Sequence, residues 1–169
     1  LVVIDRDHIA THACLQYHAC RHRSCPRCAD EPRQRWIDAA LELLLPCPHF
    51  HLVFTLPHAL LPLWECNRAW FNQLLFDCVR QSLLQLCADP RRLGLLPGLL
   101  MALHSWGRTL SHHPHVHCVV PGGGLTTDGR WVSCRPGFFL PVRVLAAMFR
   151  GKFVAQMRAA YEAGELRLQ

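Results

Sequence analysis

The densest chemical pattern in the chain is the run HHPHVHCVVPGGG, His112 to Gly124. In an extended strand alternate side chains share a face. His113, His115 and His117 therefore project from one side and Val116, Cys118 and Val120 from the other, with same-side neighbours about 6.7 Å apart. Imidazoles opposite an apolar face form a metal-site pattern. His115 and His117 can converge on one divalent ion at about 2 Å, leaving coordination positions open for substrate oxygens. These two are the candidate catalytic and metal-ligating residues of the strand. The ordinary alternative is a half-buried imidazole bonded to a carbonyl, and His-x-His also arises by chance among twelve histidines. The segment FHLVFTLPH offers a second strand whose odd-numbered side carries His49, His51 and Thr55. Laid beside the first, it lets His51 or His58 supply a third ligand; the alternative, which the residues alone favour, is that both are loop or surface histidines.

A second constellation lies near the start. Four of the ten cysteines, Cys14, Cys20, Cys25 and Cys28, fall within fifteen residues, and Cys25-Pro26-Arg27-Cys28 is a C-x-x-C. Two thiolates at that spacing share one tetrahedral zinc at about 2.3 Å, and neighbouring arginines lower the thiol pKa. Structural zinc is the leading reading, with Cys14 chosen as fourth ligand over His12, His18 and His22. A thioredoxin-like redox pair requires a preceding strand, which is missing from the pattern here. Arg21, Arg23, Arg27, Arg33 and Arg35 surround the cluster, and they are the candidates for contact with nucleic-acid phosphate, against the alternative of solvated charge. The remaining cysteines, Cys47, Cys66, Cys78, Cys87, Cys118 and Cys134, are scattered singly through apolar segments and read as core thiols.

Around these sites the chain has 169 residues, 51% hydrophobic and 18% charged, which excludes a disordered tail. Net charge is +6, and seventeen of the eighteen basic residues are arginine, the side chain that grips phosphate bidentately. That balance favours a nucleic-acid partner. The longest apolar stretch, Leu93 to Leu103, is broken by Gly94, Pro97 and Gly98 and is shorter than the roughly 20 residues of a membrane helix, so no membrane partner is expected. The opening LVVIDRD lacks an initiator Met, a basic n-region and a cleavage site, so a cytoplasmic location is expected, with both ends read as cuts through a longer frame.

The elements that position these residues follow from periodicity. Residues 1 to 29 show no apolar period and need a metal to hold shape. Asp30 is placed as an N-cap, with Trp36, Ile37, Ala40, Leu41 and Leu44 at helical spacing until Pro46 and Pro48. Phe50 to Leu56 reads as a buried strand. A long amphipathic helix is expected from Trp64 to Asp89-Pro90. MALHSWGR and HVHCVV read as an antiparallel strand pair, and Asp128-Gly129 marks a turn before a short strand at Trp131 and Val132. Val142, Leu145, Phe149, Phe153, Met157 and Tyr161 outline a last helix, with Tyr161 on its apolar stripe.

YHACRHRSCPRC, FHLVFTLPHAL, LHSWGRTLSHHPHVHCVVPGGGL and FRGKFVAQMRAAYEAGEL together resemble the rolling-circle insertion-sequence transposases of the two-tyrosine HUH type, with their N-terminal zinc-binding domain. The resemblance implies an α+β fold in three parts. A small, N-terminally incomplete zinc-binding module occupies residues 1–31, a linker helix residues 32–48, and a C-terminally truncated HUH-nuclease-like antiparallel sheet with flanking helices residues 49–169. It further implies that His115 and His117 hold Mg or Mn, and that the family nicks and joins single-stranded DNA through a 5′-phosphotyrosine in DNA transposition. The family's nucleophilic tyrosines lie on a helix beyond the resembling segment; Tyr17 and Tyr161 are the two tyrosines here, and neither matches them. A binding remnant without catalysis and an unrelated His-x-His metal hydrolase are the alternatives.

Overall fold

The computed structural model describes residues 20, 25, 28–107 and 111–168. The chain divides into two units, residues 1–46 and 47–169. In the first, helix α1 spans Asp30–Glu42. Its N-cap is Ala29 rather than Asp30. Asp30 instead sits in the first turn, where its carboxylate faces the positive end of the helix and pairs with Arg33 at 2.7 Å. The helix ends before the prolines, because Leu43 and Leu44 donate to the carbonyls of Ala40 and Leu41 and tighten the last turn.

The second unit is built on a three-stranded antiparallel sheet of β1 (His49–Thr55), β2 (Leu100–Trp106) and β3 (His112–Pro121) in the order β1-β3-β2. Its centre is the histidine strand. Burial along β3 alternates without a break from Pro114 to Val120: Pro114, Val116, Cys118 and Val120 are buried, while His115, His117 and Val119 are partly open. Phe54 of β1 is on the buried face, whereas His51, Val53 and Thr55 are exposed. β1 is thus an edge strand covered on one side, not a strand buried on both. Its apolar run misled the reading because a half-covered strand with β-branched residues on its open face carries no clear alternation in sequence.

Helices cover the apolar face. α2 (Leu61–Cys66) and α3 (Arg68–Ala88) replace the single long helix expected from Trp64 onward, and α4 (Val142–Glu162) packs on α3. The break falls at Asn67, whose backbone leaves the helical region at φ −132°. Its side-chain amide donates to the carbonyls of Leu63 and Arg167 and its Oδ1 accepts from the Arg167 N–H, which ties the break to the C-terminal segment. Phe71, Leu75, Val79 and Leu83 of α3 recur at four-residue steps and join Val116, Cys118, Val120, Phe54, Leu145 and Phe153 in one core. Each such large side chain, fully buried, stabilises by about 1.5–3 kcal/mol. α4 closes with Gly164 at φ +70°, its N–H on Tyr161 O and the Glu165 N–H on Ala160 O, a pairing that the left-handed glycine permits.

Two other elements differ from what the sequence pattern predicts. Tyr161 is 59% exposed: it is Ala160, one residue before it, that faces the core, and the next residue along the helix is turned away. Of the six scattered cysteines, Cys78, Cys87 and Cys118 are buried, but Cys47, Cys66 and Cys134 are only half-buried. Glycines of the PGGG run also do more than end a strand: Gly123 and Gly124 lie within β4 (Gly123–Leu125), paired with β5 (Trp131–Ser133). A Cβ at Gly124 would collide with the carbonyl oxygen of Leu96, and one at Gly123 would stand 2.6 Å from that of Val132. Close backbone approach, not a special φ, is what requires glycine there.

Candidate metal centre

His115 and His117 share the open face of β3, as strand periodicity requires. Register decides what stands beside them. On one flank Thr55 is opposite His115 and Val53 opposite His117; on the other His104 is opposite His115 and Ala102 opposite His117. Directly opposed residues of an antiparallel pair point to the same side. His104 therefore enters the site from β2, and the ligand atoms of His104, His115 and His117 lie within 4.8 Å of one another.

The third imidazole is thus His104, and neither His51 nor His58 joins the three. His51 is one step away in register, opposite Val119. Its Nε2 lies 2.7 Å from His117 Nδ1, so it contacts a member of the group instead. His58 lies beyond β1 in a short 3-10 turn, its ring 5.4 Å from that of His113. His113 shares the face of His115 yet remains outside the group of three. The signal for His104 was present in the expected pairing of MALHSW with HVHCVV: Ala102, His104 and Trp106 alternate on one face, and the imidazole falls across from His115.

The three imidazoles fit a metal. His115 Nδ1 is 2.5 Å from the His113 carbonyl. A carbonyl only accepts, so His115 donates there and keeps the lone pair on Nε2. Burial, and then the neighbouring His104, His115 and His51 rings, hold His117 below the ordinary histidine range, which favours the neutral ring a metal needs. Three nitrogen donors with no carboxylate among the described ligands suit a first-row transition ion better than Mg, which prefers oxygen.

A depression of about 390 Å³ opens beside the three, lined by Val53, Thr55, His104, Trp106, Gly107, His113 and His115. Trp106 is half exposed, and its ring lies parallel to that of His104 at 5.3 Å. No arginine lines this depression among the described residues; its character is imidazole and aromatic. Where β3 begins, His112 Nδ1 lies 2.6 Å from Glu65 of α2, which anchors the strand to the helical layer.

In the first unit Cys20, Cys25 and Cys28 converge, their sulfurs within 4.8 Å of one another, with Cys20 and Cys28 at 3.5 Å. Tetrahedral zinc at about 2.3 Å from each sulfur separates sulfurs by about 3.8 Å, so the three fit that ion closely. Cys14, Arg21, Arg23 and Arg27 lie outside the described residues. Arg33 and Arg35 are exposed on α1 and paired to Asp30 and Glu31. No helix among the described residues is long and apolar enough to cross a membrane.

Comparison with known proteins matches residues 98–169 to a family described as "Putative transposase" and residues 6–56 to "Transposase zinc-binding domain". The "Putative transposase y4qJ" of Sinorhizobium fredii is 45% identical over 92% of this chain, which spans 39% of that protein. The transposase for insertion sequence element IS801 of Pseudomonas savastanoi pv. phaseolicola is 39% identical over 74% of this chain, which spans 30% of its length. Among solved structures, a metal-bound conjugative relaxase TrwC in complex with oriT DNA superposes with a TM-score of 0.49 at 16% identity, over 64% of this chain and 42% of that one.

Proposed function

The chain belongs to the rolling-circle insertion-sequence transposases whose zinc-binding and transposase domains it matches, and from that premise we propose that it supplies the zinc module and the metal-binding sheet of an enzyme that nicks and joins single-stranded DNA. The observation that carries this reading is the convergence of His104, His115 and His117 on the open face of the sheet. Held by these three nitrogens, a divalent ion, Mg or Mn by the family resemblance and Mn by the nitrogen donor set, would polarise the scissile phosphate. The chain's own residues do the rest of the positioning. Trp106 offers a half-exposed ring beside the site on which a base can stack. Cys14, Cys20, Cys25 and Cys28 hold the structural zinc of the module within residues 1–31, joined by α1 to the sheet unit. Arg21, Arg23, Arg27, Arg33 and Arg35 meet phosphates; the exposed pairs of Arg33 and Arg35 contribute little and yield to a stronger anion. Acting on DNA, the chain would work in the cytoplasm.

The attacking tyrosine is not Tyr161. It belongs to α4, in the helical layer on the apolar side of the sheet, opposite the imidazoles. The test is binding of a fluorescent single-stranded oligonucleotide with and without Mn, followed by denaturing electrophoresis. Binding should weaken steeply with salt and strengthen with Mn, and His117→Ala should remove only the Mn-dependent part. A salt-insensitive affinity, or the same Mn response in His117→Ala, would overturn the proposal.

A further inference from the structure

His117 is the innermost of the three imidazoles in ring contacts, touching His104 at 4.4 Å and His115 at 4.8 Å between centroids. It also has a fourth imidazole neighbour. The ring centroids of His51 and His117 are 4.9 Å apart with planes only 6° from parallel, while His51 Nε2 and His117 Nδ1 stand at 2.7 Å. Rings stacked face to face at that centroid distance could not bring two nitrogens so near. The two rings lie edge to edge in one plane and share one proton.

Two arrangements satisfy that bond, and they differ in what they leave at the other edge of His117. If His51 donates, His117 accepts on Nδ1, carries its proton on Nε2 and has no lone pair for an ion. If His117 donates from Nδ1, its Nε2 lone pair is free on the side where His104 and His115 converge. His115 shows the second arrangement by necessity, because its Nδ1 partner is a carbonyl that cannot donate. His117 has no such carbonyl; its partner is an amphoteric ring from the neighbouring strand.

We infer that His51 is a positioning residue that accepts the Nδ1–H of His117 and thereby fixes Nε2 of His117 as a metal-ligating atom. The inference rests on the metal reading given above and goes beyond it, since it assigns a role to a residue outside the group of three. His51 is suited to this. It is exposed, so when its Nε2 accepts from His117 its own Nδ1–H is left facing solvent rather than buried. An imidazole acceptor orients the ligand without adding the negative charge that a carboxylate in its place would bring. Its place is set by strand pairing: β1 runs antiparallel to β3 with Val53 opposite His117, and His51 follows two residues back on the same face.

The test compares His51→Phe, which keeps a ring but removes the acceptor, with His51→Glu, whose carboxylate accepts and does not donate. Position 51 is exposed on an edge strand, and folding of both variants is checked by circular dichroism. Long-range proton–nitrogen NMR of the metal-free protein, with His117→Ala used for assignment, reads the tautomer of His117 directly. We expect the Nδ1–H form in the parent chain and in His51→Glu, and a shift toward Nε2–H in His51→Phe. Mn affinity should fall about tenfold in His51→Phe, the low end for an exposed outer partner, and stay at or above the parent value in His51→Glu. Nδ1–H retained in His51→Phe, or Nε2–H in the parent chain, would overturn the inference. A parent chain in the Nδ1–H form that binds no Mn would instead count against the metal reading, because the NMR result stands without any ion.

Discussion

Replacing His104 by alanine tests the site at the residue that the sequence pattern did not single out. The ligand atoms of His104, His115 and His117 lie within 4.8 Å of one another. A tetrahedral ion at about 2.1 Å from each nitrogen sets them about 3.4 Å apart, so closure needs each gap to shrink by no more than about 1.4 Å, within reach of small ring rotations. Structural zinc is held with about 12 kcal/mol over four ligands, or about 3 kcal/mol each, and Mn stands lower in the divalent order. About 2 kcal/mol for the lost imidazole is a reasonable expectation, which is thirty-fold weaker binding. The assay is loss of the free Mn signal in electron paramagnetic resonance, on protein given one zinc equivalent, which thiolates take in preference to imidazole. His58→Ala serves as the neighbour that contacts His113 but not the three. His104→Ala with parental Mn affinity, or His58→Ala with an equal loss, would refute the assignment of the third ligand.

Other consequences are independent of the metal. Ser82 is wholly buried in α3 and its hydroxyl has no hydrogen-bond partner among the described residues, so Ser82→Ala should stabilise the chain by about 1 kcal/mol in urea unfolding. Gly124→Ala forces a methyl against Leu96 O and should destabilise by about 3 kcal/mol or more, lowering the urea midpoint; an unchanged midpoint would mean that β4 can move away at no cost. Burial pushes the Cys87 thiol up to about 12, and the Cys78 and Cys118 thiols up to about 11, so at pH 8 almost none is thiolate. Iodoacetamide applied to the native protein should spare these three and label Cys66, as read by peptide mass spectrometry. Trp106→Ala should weaken single-strand binding by about 1–3 kcal/mol with Mn affinity retained, and equal oligonucleotide affinity would exclude the stacking role.

What could be read from the residues and what could not divide along a physical line. His115 and His117 were legible because a strand has a period of two, and apolar residues on the alternate positions fix which face they share. The C-x-x-C was legible for a similar reason: its spacing is local, and the sulfurs of Cys20, Cys25 and Cys28 do converge. The third imidazole depends on register between strands, which is a nonlocal quantity. MALHSW and HVHCVV were paired correctly, but which residue stands opposite His115 depends on how far the two strands slide against each other, and the register shifts again between His104 and Trp106. A slip of one residue would have turned His104 to the apolar face. His51 illustrates the same limit from the other flank. It was offered as a ligand from the odd-numbered face of its strand, yet the register puts it opposite Val119, two residues beyond His117, where it reaches the ring edge of His117 and stays outside the group of three.

The break at Asn67 was illegible because the apolar stripe continues across it; only the hydrogen bonds to Arg167, a hundred residues later, explain why the helix stops and starts again. The same reasoning accounts for the open face itself. Helices α3 and α4 take up the apolar side of β3, and on the other side the described residues place His115 and His117 at the middle of β3, flanked by His104 and the exposed Val53. A sheet covered on both faces would have put Val or Leu at positions 115 and 117. Histidines at those positions, partly open and with the His115 ring fixed by the carbonyl of His113, are what a sheet needs if its uncovered face is to hold an ion and still admit a strand of DNA.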